Sequence, residues 1–180
     1  ERIQSFDAYT RPRMEQTARE EHSQLVCLLG RSIKSLDIED EVVRAATTPI
    51  TLDVDGQDYP MGSYVIEIPL TDDRVVVRPE DESTKVEGYC HPHISREGIP
   101  CMGNASAAFA QYLGKGEVFQ ALTLILELLR SYNPDNPYLR IERWDPDWED
   151  EESKYDDCYE SASYRDCIRC NDENCQYKEE

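Results

Sequence analysis

The sequence predicts an α+β fold in one catalytic-size domain, followed by an acidic, cysteine-containing tail. Three observations lead there: an amphipathic stretch before residue 30, alternating apolar residues between positions 50 and 77, and a run at 117–132 that is apolar on nearly all sides. A chain of 180 residues supports one compact core and a small appendage, not two full domains.

The elements follow in chain order. From Thr10 to about Leu29, Met14, Ala18, Leu25, Leu28 and Leu29 fall near one helical face, with Pro12 in the first turn and Gly30 as a stop. Ile50, Leu52 and Val54 alternate before Asp55-Gly56. Tyr64, Ile66, Ile68 and Leu70 alternate before Asp72-Asp73, and Val75 to Val77 follow. These pieces predict an antiparallel meander of about four strands. Residues 79–116 read as a long loop. Val118, Phe119, Leu122, Leu124, Ile125, Leu126, Leu128 and Leu129 then predict a central buried helix.

Charge excludes several function classes. Lys and Arg total 19 against 38 Asp and Glu, a net of −19. Such a chain repels a phosphate backbone or an anionic membrane, so neither nucleic acid nor membrane is expected as a partner. The longest apolar run, at 121–129, is interrupted by Glu127 and falls well short of the roughly 20 residues of a membrane span. A soluble protein is expected. Residues 145–180 hold 14 acidic and four basic side chains, more than half of the net charge. The boundary is placed at 148: a main domain over 1–148, then an acidic tail over 149–180 that begins with the run Glu149 to Glu152.

Seven cysteines without a visible export signal point to a reducing compartment, the cytoplasm, and to thiols in place of disulfides. The sequon Asn104-Ala-Ser106 is then incidental. In the tail, Cys158, Cys167, Cys170 and Cys175 could hold a structural zinc ion as four thiolates, the Cys-x-x-Cys pair having suitable spacing. Unligated reduced thiols and disulfides remain the alternatives.

The chemistry concentrates in the predicted loop. Residues 89–103 read Tyr-Cys-His-Pro-His-Ile-Ser-Arg-Glu-Gly-Ile-Pro-Cys-Met-Gly, holding two of the three histidines, His91 and His93, with Cys90 and Cys101. Pro92, Gly98, Pro100 and Gly103 fix or permit special backbone angles, so a shaped and packed segment is expected. A shaped loop can present a thiol. Cys90 and Cys27, in strand-like and helical contexts, read as packing residues.

This segment resembles the active-site signature of ubiquitin-conjugating enzymes, in which a His-Pro-Asn tripeptide precedes a hydrophobic residue, a Gly and, eight positions beyond the Asn, the catalytic Cys. Here His91-Pro92-His93 is followed by Ile94, Gly98 and Cys101, and Cys101 lies eight positions beyond His93. A second stretch, Leu124 to Arg130 followed by Ser-Tyr-Asn133-Pro-Asp-Asn-Pro137, resembles the family's helix and its Asn-Pro-Asp-Asp-Pro motif. The resemblance covers roughly residues 10–144. His93 stands where the family has Asn, Asn136 where it has the second Asp, and the tryptophan common after the Cys in eukaryotic members is missing, a look closer to the divergent bacterial members.

The resemblance implies the family's fold: an N-terminal helix, a four-stranded antiparallel meander, the active-site loop and the central helix. It implies transthiolation. Cys101 accepts a ubiquitin-like modifier from an activating enzyme as a thioester and passes it to a protein or other amine acceptor, with no cofactor for catalysis. His91, Pro92 and Gly98 support the loop, and Asp135 and Asn136 sit near the incoming amine or simply form a turn. His93 supports the loop or donates to the oxyanion that develops on attack. The alternatives are a catalytically silent variant that binds a modifier or partner enzyme, against which the retained Cys101 argues, and a cysteine hydrolase, for which the sequence offers no obvious base.

Overall fold

The computed structural model describes residues 18–71 and 74–148, and the chain divides after Asp145 into Glu1–Asp145 and Pro146–Glu180. The fold is α+β. Helix α1 covers residues 18–28 and closes at Gly30, whose φ of 76° suits a glycine past a helix end. Leu25 is buried and Leu28 partly so, but Leu29 is exposed and lies off the packed face. The predicted start of this helix, with Met14, lies outside the described residues.

Six strands follow: β1 (Ile33–Glu39), β2 (Val42–Thr47), β3 (Ile50–Val54), β4 (Gln57–Gly62), β5 (Tyr64–Pro69) and β6 (Val76–Pro79). They correct the expected meander. The four-stranded sheet is antiparallel throughout in the order β1-β2-β5-β6, whereas β3 and β4 form a separate hairpin inserted between its second and third strands. The Ile50/Leu52/Val54 alternation therefore belongs to the hairpin. It turns at Asp55-Gly56, both with positive φ, the geometry whose twist matches antiparallel strands.

A second correction concerns residues 79–116. Ser106–Lys115 form helix α2, preceded by a 3-10 turn at Gly103–Ala105. The alanine-rich segment has high helix propensity but buries only Phe109, so it carried little apolar periodicity. Gly116, at φ 74°, ends it: its N–H donates to the Leu113 carbonyl and that of Glu117 to the Tyr112 carbonyl, the paired bonds of a Schellman close.

The predicted central helix is α3, Val118–Leu129, burying Val118, Ala121, Leu122, Ile125, Leu126 and Leu129. Its first turn takes a hydrogen bond absent from any local pattern, the Phe119 N–H donating to the Glu21 carboxylate of α1. One cluster joins these α3 residues to Val43, Ala45, Tyr64, Ile66, Ile68 and Val77 from the sheet and to Ile94 and Cys90 from the loop. The loop is thus anchored in the core. Among the described residues no helix is long and apolar enough to cross a membrane.

Candidate active site

The eight-residue spacing between His93 and Cys101 has a geometric meaning. The Cys101 N–H donates to the His93 carbonyl at 2.8 Å, and Ile94 and Pro100 pair as an antiparallel bridge. Residues 95–99 form the tip, closed by Ser95 N–H to Ile99 C=O and Gly98 N–H to Ser95 C=O, both 2.9 Å. The loop is a tight hairpin with His93 and Cys101 paired at its base. Its tip is pinned to β6 by the Val77 N–H donating to the Gly98 carbonyl at 2.8 Å. Gly98 has φ 88°, and a Cβ there would lie 2.7 Å from the Val77 carbonyl oxygen, so only glycine fits.

The histidines underneath are fixed by hydrogen bonds that assign their tautomers. His91 is fully buried and its Nδ1 accepts from the His93 N–H at 3.1 Å, which leaves the proton on Nε2. Nε2 faces no hydrogen-bond partner within geometric reach, although the Leu129 carbonyl is near enough to oppose its pKa shift in part. Tyr64 packs edge-on to this ring, its hydroxyl donating to the Cys90 carbonyl at 2.9 Å. His93 Nε2 accepts from the Asn133 N–H at 3.0 Å, so its neutral ring carries the proton on Nδ1.

That bond joins the two motifs. Beyond α3 the chain returns to the loop through Asn133 N–H to His93 Nε2 and Tyr138 N–H to the Pro92 carbonyl at 2.8 Å. The Asn133 side chain accepts from the Asp135 N–H at 3.0 Å, shaping the turn. Tyr132 lies against the His93 ring, with centroids 5.8 Å apart.

Cys101 is partly exposed and opens onto a cleft of about 500 Å³. His93 and Asn133 line it from the motifs, as do Asn136 from the turn, Met102 to Ala105 from the segment after the cysteine, and Leu124, Glu127, Leu128 and Ser131 from the end of α3. The structure therefore brings together Cys101, His93 and Asn136. Pro92 and Gly98 hold the hairpin, His91 sits in the core beneath it, and Asp135 takes part in the turn without lining the cleft. Residue-by-residue reading missed Asn133 as the backbone donor to His93, and Glu127 and Asn104 as cleft walls. Glu127 left a signal as the single charge in the apolar run, and Asn133 as the first residue of the second motif.

The other thiols are placed differently. Cys90 is buried, and burial pushes its thiol up to about 11, so it stays protonated as a packing residue. Cys27, expected to pack, is instead exposed on α1. Cys158, Cys167, Cys170 and Cys175, and with them the zinc expectation, lie outside the described residues. Among the described residues no group of His, Cys, Asp and Glu is arranged to hold a metal ion.

Burial, with the neighbouring His93 adding to it, drives His91 from the ordinary 6.5 down to about 3, and burial also lowers His93. Both rings are neutral in the folded chain. Between pH 6.5 and 3 the unfolded chain therefore binds a proton at His91 that the folded chain does not, so stability is complete above that window and falls as the medium is acidified. Denaturant titrations should show a loss of about 2 kcal/mol between pH 6.5 and 5, before most carboxylates titrate. A flat profile over that interval would contradict a buried neutral His91.

Compared with known proteins, the chain matches no family model, no curated protein and no solved structure.

Proposed function

We propose that this chain is a conjugating enzyme of the ubiquitin-conjugating type, a divergent bacterial-like member of that fold acting in the cytoplasm. Cys101 takes a ubiquitin-like modifier from an activating enzyme: the thiolate attacks the activating enzyme's thioester, and that enzyme's thiol leaves. An amine then attacks the Cys101 thioester, the C–N bond forms and the thiol is released. One observation carries the reading: Cys101 opens onto a cleft from the base of a hairpin paired with His93, and the second motif is hydrogen-bonded to that same histidine.

The ring geometry gives His93 its part. Its Nε2 is held by Asn133, so it does not serve as a base for the thiol, which disfavours a Cys-His hydrolase. Donation to a developing oxyanion falls to Nδ1–H, and support of the loop falls to Nε2. Charging with the cognate activating enzyme and modifier should give a band on a non-reducing gel that thiol removes, and its absence would overturn the reading. His93→Ala should load nearly normally and then discharge to amine more slowly, on the order of 100-fold. Equal losses in loading and discharge would confine His93 to holding the loop.

A further inference from the structure

The return segment after α3 reaches the active-site hairpin without an anchor in the core. Leu129 and Ile141 are fully buried, and no side chain between them is. Yet this segment grips the Pro92–His93 peptide unit. The carbonyl of that unit accepts from the Tyr138 N–H at 2.8 Å, and its N–H donates to His91 Nδ1 at 3.1 Å. Because the unit is planar, rotating it would swing the His93 Cα–Cβ bond, and with it the ring that accepts from Asn133.

A column of partly exposed groups sets Tyr138 in place. Its ring is 47% exposed and stacks on Tyr89, with centroids 6.3 Å apart and planes 15° from parallel. The Arg96 guanidinium lies over the Tyr89 ring, 4.8 Å from its centroid. The Arg96 stem crosses Gly88, whose Cβ position would be 3.5 Å from Arg96 Nε and 3.6 Å from Cδ. Tyr89 is itself fixed by a two-residue turn: it exchanges both backbone bonds with Val86 at 2.9 Å, and Glu87 and Gly88 between them have positive φ. The column thus ties together the turn that enters the loop, the hairpin tip and the return from α3. Rings this exposed bury little area, so what they supply is alignment more than stability.

We propose that Tyr138, stacked on Tyr89 and backed by Arg96, is a positioning residue that holds the Pro92–His93 peptide unit, keeping His93 Nε2 on the Asn133 N–H and Nδ1–H free for the oxyanion. The consequence for transfer rests on the thioester reading, whereas the placement of the ring does not.

The test uses the full chain in two arms. In the first, the histidine rings of uncharged protein are followed by long-range proton–nitrogen NMR above neutral pH. His93 should show one neutral tautomer, protonated at Nδ1. Tyr138→Ala should admit the other tautomer and move both ring nitrogens toward their averaged positions. Tyr138→Phe keeps the stack and should match the parent. Arg96→Met keeps the stem on Gly88 but loses the cation, and should move the same signals less. In the second arm, the variants are charged on Cys101 and discharged by hydroxylamine. Loading should stay near that of the parent. Discharge should fall about tenfold in Tyr138→Ala, the upper range of one aromatic pair, about threefold in Arg96→Met, and not in Tyr138→Phe. A parental His93 tautomer in Tyr138→Ala, equal losses of loading and discharge, or the same losses in Tyr138→Phe would overturn the inference. If Tyr138→Ala does not fold, Arg96→Met decides: parental ring signals and parental discharge would overturn it. A chain whose His93 signals follow Tyr138 but that never charges would leave the inference standing and remove the thioester reading.

Discussion

Gly98→Ala should cost about 3–5 kcal/mol of stability, far more than the same change at Gly103. At φ 88° a side chain is strained whatever the space, roughly 1–3 kcal/mol for the backbone alone. The new Cβ would also meet the Val77 carbonyl at 2.7 Å and Val76 Cγ1 at 3.1 Å. The carbonyl belongs to β6, so it cannot retreat without disturbing the strand that pins the hairpin tip. Gly103 also has positive φ, 50°, but nothing lies within 4 Å of its Cβ position, so only the backbone cost of about 1–2 kcal/mol applies. Urea unfolding of the two variants separates the effects. Equal losses would mean that the tip is not packed on β6, and the alignment of Cys101 with His93 would lose its support.

Changes at Cys101 should be the most severe for activity. With the thiol removed in Cys101→Ala, no thiol-sensitive adduct should form, because Cys101 alone among the seven cysteines has the motif spacing, and of the other described thiols Cys90 is buried with its pKa pushed up to about 11 and Cys27 lies on α1, outside the cleft. Cys101→Ser should give at most an oxygen ester, slower to form and resistant to thiol, since a hydroxyl is the poorer nucleophile near neutral pH. A serine variant that turns over like the parent would exclude thioester chemistry.

The legible parts of this fold were those whose physics is local. Asp55-Gly56 marked a turn because both positions need positive φ, although strand β4 beyond it went unread, and the apolar girdle of α3 announced a buried helix. The β1–β2 hairpin was hidden for the complementary reason. Its turn uses Asp40 and Glu41 at positive φ, without the glycine that usually marks such a turn, and edge strand β1 buries only Ile33. Helix α2 buries only Phe109, so its helicity rests on propensity and on the Gly116 close. At the site, the spacing from His93 to Cys101 was visible as number and became a hairpin in the structure. The contact of Asn133 with His93 spans 40 residues, and the cleft gathers side chains from three separate segments. No local pattern encodes such meetings.

The most direct test of the account is the site of the adduct on the full-length, unsubstituted chain. After incubation with the cognate activating enzyme, ATP and modifier, intact-mass analysis should show one added modifier less one water. Peptide mapping under acidic, thiol-free conditions should place it on Cys101, with a shift back to the free chain on thiol treatment. An adduct on any of the other six cysteines, or on a lysine with Cys101 free throughout, would contradict it.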